Sequence, residues 1–83
     1  MADDFTPPQP DHVEDSRGTL CPVPVLAASK AIGKVPVDGV LEVQATDAGA
    51  AADLPAWAKR AGHEYLGMTR EGGCIRLFIR RRA

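Results

Sequence analysis

Residues 25–46 read VLAASKAIGKVPVDGVLEVQAT, and the reading of this stretch decides the fold. Val25, Leu26, Ser29 and Ile32 recur at helical spacing, with Lys30 and Lys34 together on another face, so residues 25–35 are expected to form a helix. Pro36-Val37-Asp38-Gly39 ends it in a turn. VLEVQAT, residues 40–46, then alternates Val or Leu with other residues as a strand does. Working back, HVED at 12–15 is a short extended segment, which makes a strand–helix–strand unit. A parallel pair joined this way crosses over right-handedly and sends its helix to one side of the sheet.

Working forward, DAGAAADLPAWAKRAG at 47–62 is a second helical region. Pro55 breaks a continuous helix, so the main helix is expected to start with Asp53 as cap and Pro55 in the first turn. Leu54, Trp57, Ala58 and Ala61 share a face, and Gly62 is placed to terminate it. HEYLGMTR (63–70), the turn EGG, and CIRLFIR (74–80) make an antiparallel hairpin, with Ile75, Leu77 and Ile79 on one face. The order β-α-β-α-β-β implies an α/β (α+β) two-layer sandwich: two helices on one face of a four-stranded mixed sheet. The uncovered face would carry Arg76 and Phe78.

Composition narrows the class. The chain has 83 residues, one domain with a thin core. Only Phe5, Trp57, Tyr65 and Phe78 are aromatic, so that core must be aliphatic. The net charge of −1 points to neither nucleic acid nor a membrane surface. It is unevenly spread: residues 1–15 hold five acids and no Lys or Arg, and residues 16–83 hold ten basic residues against six acids. Such a lead suits either a surface for protein partners or plain solubility. Residues 1–11, with three prolines, are expected to be a disordered or extended arm ahead of a domain spanning 12–82. No run approaches the roughly 18 apolar residues of a membrane span. The acidic N-terminus argues against a secretory signal, and Cys21 and Cys74 are no disulfide framework. A reduced, cytoplasmic protein is expected.

The chemistry gathers at RGTLCPVPVL, residues 17–26. If the following helix begins at Pro22, Cys21 is its N-cap and Pro22 sits where a missing N–H costs nothing. If pre-proline Val23 avoids helical geometry, the helix begins at Pro24 and CPVP is partly extended. In both cases Cys21 lies within a turn of the positive helix end, which favours thiolate over thiol. Arg17 would add a positive charge if it folded back. The two prolines stiffen the backbone and remove N–H donors, so the segment presents a sulfur better than it cradles a phosphate. Gly18 permits a tight turn with little bulk. An inert, packed cysteine before a helix remains the other reading of these residues.

DSRGTLCPVP, residues 15–24, resembles the signature of the TusA-like (SirA-like) sulfur-carrier family, Asp-x-Arg-Gly-x-x-Cys-Pro-x-Pro. Asp15, Arg17, Gly18, Cys21, Pro22 and Pro24 occupy all its fixed positions. The likeness runs over about residues 12–82, through the Asp-Gly turn, ATD, DLPAWAKRAGHE and a hairpin ending in IRR. Thr19 departs from it, the family more often having leucine, and the arm lies outside it. The resemblance implies the same β-α-β-α-β-β sandwich. It implies a sulfurtransferase of the carrier type, with Cys21 accepting sulfane sulfur as a persulfide and no cofactor or metal. It implies a cysteine desulfurase or rhodanese-like protein as donor and a further protein as acceptor, in tRNA thiolation, molybdenum-cofactor maturation or sulfur oxidation.

Other residues carry weaker signals. Cys74 is either a resolving thiol for Cys21 or a small strand residue that packs. Cys21, Cys74, His12 and His63 lack the paired spacing of a zinc site. His63 is either a base near Cys21 or a packed residue at a helix–strand junction. Arg76, Arg80, Arg81 and Arg82 beside Phe78 would suit an acidic partner, a phosphate backbone or a solvated strand end, but no RNA-binding signature accompanies them and direct nucleic-acid binding is not expected. A non-catalytic protein-binding or regulatory module of the same fold is the alternative to a carrier.

Overall fold

A computed structural model of the chain describes residues 6–20 and 22–83. Residues 1–5 and Cys21 lie outside the described residues. Four strands and two helices follow in the expected order: β1 (His12–Asp15), α1 (Val23–Ala31, extended by a 3₁₀ turn Ile32–Lys34), β2 (Val40–Ala45), α2 (Ala50–Ala61), β3 (Glu64–Glu71) and β4 (Cys74–Arg80). The strands form one sheet in the order β1-β2-β4-β3. β1 runs parallel to β2, with His12 opposite Leu41 and Asp15 opposite Gln44. β4 is antiparallel to both β2 and β3.

Both helices cover one face. Leu41, Val43, Ala45, Ile75, Leu77 and Ile79 rise from the sheet to meet Ala28, Ala31, Ala50, Leu54 and Ala58 from the helices. The aliphatic core inferred from composition is present, but the helices contribute mainly alanine to it. The buried, sheet-facing positions of α1 are Pro24, Ala28 and Ala31, continued by Val35. This corrects the expected face of Val25, Leu26, Ser29 and Ile32. Val25 and Ile32 are half-buried, whereas Ser29 is exposed and Leu26 is 57% exposed. Positions 24, 28, 31 and 35 are also helically spaced, and small side chains there let α1 lie close to β2.

Two helix starts also differ from expectation. α1 begins at Val23 with Pro22 as the cap residue (φ −97°, ψ 16°), between the two registers considered. Pro24 then sits in the first turn, where its missing N–H is an orphan in any helix. α2 begins at Ala50, a turn earlier than a cap at Asp53 requires, and contains Pro55. The turn is secured by the Ala50, Ala51 and Ala52 N–H groups donating three residues back to Asp47, Ala48 and Gly49. Pro55 removes one helical hydrogen bond without ending the helix. At the other end Gly62, with φ 85°, terminates α2 as expected. The His63 N–H donates to the Ala58 carbonyl and the Gly62 N–H to that of Lys59, satisfying two last-turn acceptors. Of the proposed apolar face of α2, Leu54 and Ala58 are buried and Trp57 half-buried, while Ala61 is exposed.

The hairpin turns through Gly72 and Gly73. A bulge between Tyr65 and Gly67 lets Tyr65 and Met68, three residues apart, both pack on the core. Arg76 and Phe78 do lie on the face away from the helices, but Phe78 is only 2% exposed, between Glu42 of β2 and Gly67 of β3. Glu42 is itself 6% exposed; it accepts a hydrogen bond from Gln44 Nε2 at 2.9 Å and lies 3.7 Å from Arg76 Nε. The basic C-terminal end is tied into the fold. Arg82 bonds Asp38 (2.9 Å) and Glu64 (2.7 Å), and Arg81 Nη1 donates to the Val35 carbonyl at 2.7 Å.

Gly39, at the start of β2, marks the tightest approach. A Cβ there would lie 2.8 Å from Asp11 Oδ2, 2.8 Å from Val35 Cγ1 and 2.9 Å from the Pro36 carbonyl oxygen. Asp11 is held in place because its N–H donates to the Val40 carbonyl and its carboxylate accepts the Val40 N–H, both at 2.8 Å. Gly39→Ala is therefore expected to lower unfolding stability by about 1–3 kcal/mol in denaturant titration. Gly33→Ala, whose Cβ would meet nothing within 4 Å, should be neutral or stabilising by up to about 1 kcal/mol.

Candidate functional site

The segment leaving β1 is fastened to the far end of β2. Ser16, only 3% exposed, uses both its N–H (2.9 Å) and its hydroxyl (2.8 Å) to donate to the Gln44 carbonyl. Two residues on, the Gly18 N–H donates to Thr46 Oγ1 at 2.8 Å. Gly18 adopts φ 81°, a left-handed conformation that other residues rarely take. The Thr19 hydroxyl donates back to the Ser16 carbonyl at 2.6 Å, so the residue that departs from the family pattern closes the turn itself. The Val23 N–H then donates to the Leu20 carbonyl as the chain enters α1.

Asp15 and Arg17 form the forked ion pair that residue types alone could not reveal. Arg17 Nε and Nη2 donate to the two carboxylate oxygens of Asp15 at 2.9 and 2.8 Å, and the Arg17 N–H adds a third bond at 3.0 Å. These bonds hold the Asp15 carboxyl down at a pKa of about 2. The arginine charge is thus engaged by Asp15, which in turn raises the Arg17 pKa. Arg17 folding back toward Cys21 falls outside the described residues.

The structure therefore brings Asp15, Arg17 and Gly18 into one braced turn, with Pro22 and Pro24 at the start of α1. Cys21 lies in sequence between Leu20 and Pro22, both exposed. α1 has no acidic residue in its first turn and carries Lys30 in its last. Its N-terminal end thus keeps its positive character, the setting that favours a thiolate. Ser16 and Thr46 are the supporting residues that sequence reasoning missed. Ser16 occupied a variable signature position, and Thr46 is linked to Gly18 only by the parallel strand pairing.

Cys74 is half-buried, its Sγ 3.8 Å from the Ile75 carbonyl oxygen, in keeping with a packed strand residue. His63 packs at the helix–strand junction: its ring lies 5.6 Å from that of Trp57, and its Nδ1 accepts the Arg82 N–H at 3.1 Å. Burial, aided by Arg81, keeps its pKa below that of a free imidazole. Among the described residues, no group of three or more His, Cys, Asp and Glu is placed to hold a metal ion. Nor is any helix long and apolar enough to cross a membrane.

The fold is a small two-layer α/β sandwich with a braced loop ahead of α1. A model of the sulfurtransferase TusA family matches residues 13–81, and the chain belongs to that family. YrkF of Bacillus subtilis (strain 168) is 46% identical over 69 residues, 83% of this chain but 37% of YrkF, so the chain spans little over a third of that relative. YrkI of the same organism is 41% identical over 71 residues, 86% of this chain and 95% of YrkI. The sulfur carrier protein TusA of Allochromatium vinosum is 37% identical over 71 residues, 86% of this chain and 93% of that protein. The crystal structure of a SirA-like protein from Desulfitobacterium hafniense has the same fold, with a TM-score of 0.74 over 87% of this chain and 99% of that one at 24% identity. The expected family and two-layer architecture are both borne out.

The pair at Asp15 gives a pH test. Its folded pKa is depressed, so its contribution is present above the ordinary value of 3.8 and is lost as pH falls through about 2. In a carboxyl NMR titration Asp15 should show a midpoint near 2, and Arg17→Gln should return it toward 3.8. A wild-type midpoint near the ordinary value would mean that the forked pair is absent in solution.

Proposed function

We propose that the protein is a sulfur relay, a sulfurtransferase of the carrier type, in which Cys21 holds sulfane sulfur as a persulfide and passes it to an acceptor protein. One observation carries the reading: the signature residues Asp15, Arg17 and Gly18 are fixed in a turn fastened to β2, leading into the acid-free start of α1. Family membership supports it.

The chemistry is redox-neutral exchange. The Cys21 thiolate attacks the terminal sulfur of a donor persulfide. A new S–S bond forms at Cys21, the donor's S–S bond breaks, and the donor cysteine leaves as a thiolate. Delivery repeats the step, with Cys21 as leaving group. A lowered thiol pKa helps both, supplying thiolate for attack and easing its departure. The donor would be a cysteine desulfurase or a rhodanese-like protein. The acceptor would serve tRNA thiolation, molybdenum-cofactor maturation or sulfur metabolism. A reducing cytoplasm would keep the thiol available. Asp15, Arg17, Gly18, Pro22 and Pro24 act by holding the segment that bears Cys21, within a domain spanning 12–82.

Intact-mass measurement after incubation with a cysteine desulfurase and cysteine tests this. Wild type and Cys74→Ala should each gain one reducible sulfur, about 32 Da, and Cys21→Ala none. Gain of that mass by Cys21→Ala would overturn the assignment.

A further inference from the structure

A groove of about 450 Å³ runs between α1 and the edge strand β1. Val23, Leu26 and Ala27 line it with Lys30 and Lys34, and Glu14 faces them from β1. Its apolar residues were not left out for want of space in the core, because the positions that meet the sheet are occupied by Ala28 and Ala31. Instead Leu26 is 57% exposed and Val23 43%, and Leu20, next to Cys21 in sequence, is 74% exposed. Large apolar side chains clustered on the surface mark an interaction site.

The charges specify what fits. α1 carries Lys30 and its 3₁₀ extension Lys34, with no acidic residue in either, and among the described residues neither lysine forms an ion pair. Glu14 is instead 3.4 Å from His12 Nε2. Residues four apart on a helix lie side by side, with Cβ atoms about 5–6 Å apart. Two carboxylates one helical turn apart on a partner would match the two ammonium groups. Toward the start of α1 from those charges lie the apolar Leu26 and Val23. A nucleic-acid backbone fits less well, since it would set phosphates against the apolar side chains of Leu26 and Val23.

We propose that the groove between α1 and β1 receives an acidic segment of the sulfur-donating protein, bearing two carboxylates for Lys30 and Lys34 and an apolar side chain for Leu26 and Val23. The inference rests on the carrier reading above and names the surface by which the donor engages. The arrangement brings a docked donor alongside the segment that bears Cys21, and the lysines steer its approach.

The test compares loading of Cys21 by a cysteine desulfurase, by a rhodanese and by inorganic polysulfide, which needs no docking. Lys30→Glu/Lys34→Glu should slow loading by whichever protein loads wild type faster, by about tenfold or more. The salt dependence of the rate should flatten as well. Leu26→Ser should slow it by about five- to tenfold. Polysulfide loading should stay within about twofold in all variants. Lys59→Glu/Arg60→Glu, on exposed positions of α2, should load at the wild-type rate. Thermal unfolding verifies that each variant is folded. The docking proposal is overturned if the Lys30/Lys34 variant is loaded by protein donors at the wild-type rate. It is overturned equally if the Lys59/Arg60 variant is slowed as much, or if neither protein loads wild type faster than polysulfide does. Failure of polysulfide, as well as both proteins, to place sulfur on Cys21 would overturn the carrier reading itself.

Discussion

The close seating of α1 on the sheet, through alanine, is the constraint on which the rest depends. Ala28 and Ala31 are essentially inaccessible to solvent and belong to the aliphatic core where α1 packs on β2. A small domain has little apolar area to bury, so it gains from a short distance between layers. That distance sets the start of α1 and, through the parallel β1–β2 pair, the span that the intervening loop must cross. At the other end of the crossover the same closeness admits only glycine at position 39, against Asp11, Val35 and Pro36.

Because both ends of the crossover are fixed, residues 16–19 can be held in a short bonded turn. Its bonds run to backbone and side chain at the end of β2: Ser16 to the Gln44 carbonyl, Gly18 to Thr46. The forked Asp15–Arg17 pair joins residues two apart and closes the loop locally. An exposed ion pair adds little to global stability. Its consequence here is geometric, since three bonds to one carboxylate allow the turn few alternatives. Asp15 and Arg17 are thus better understood as positioning residues for the segment that follows than as chemical participants.

Much of this was legible in the sequence, for reasons that differ by element. CIRLFIR was read at its true limits because Ile75, Leu77 and Ile79 recur at every second position, as in a strand, and Gly72-Gly73 bounds it. The start of α2 was misjudged because Pro55 was treated as a helix breaker, while three short-range bonds from the Ala50, Ala51 and Ala52 N–H groups to the carbonyls of Asp47, Ala48 and Gly49 secure the turn before it. The buried face of α1 was misjudged because size was taken as the sign of burial. Alanine at 28 and 31 carries no strong hydropathy signal, and the large residue Leu26 had another place. Asp15, Arg17 and Gly18 were found as a pattern, but the forked pair and the Ser16 and Thr46 anchors depend on pairings that only the folded chain reveals.

On the relay function proposed above, the inversion on α1, small residues inward and larger ones outward, suits what a relay must do. A carrier has to leave one protein before it can meet the next, so it cannot bind either tightly. Affinity differences among related complexes lie mainly in dissociation, and extensive apolar burial would slow that step. Two lysines and a narrow apolar strip suit fast, salt-sensitive encounters better than long-lived ones. Were Leu20, Val23 and Leu26 turned inward, the core would gain apolar area but the surface beside the sulfur-bearing segment would lose its grip on partners. Their exposure is a stability cost that the domain offsets through the tight alanine-lined contact of its two layers.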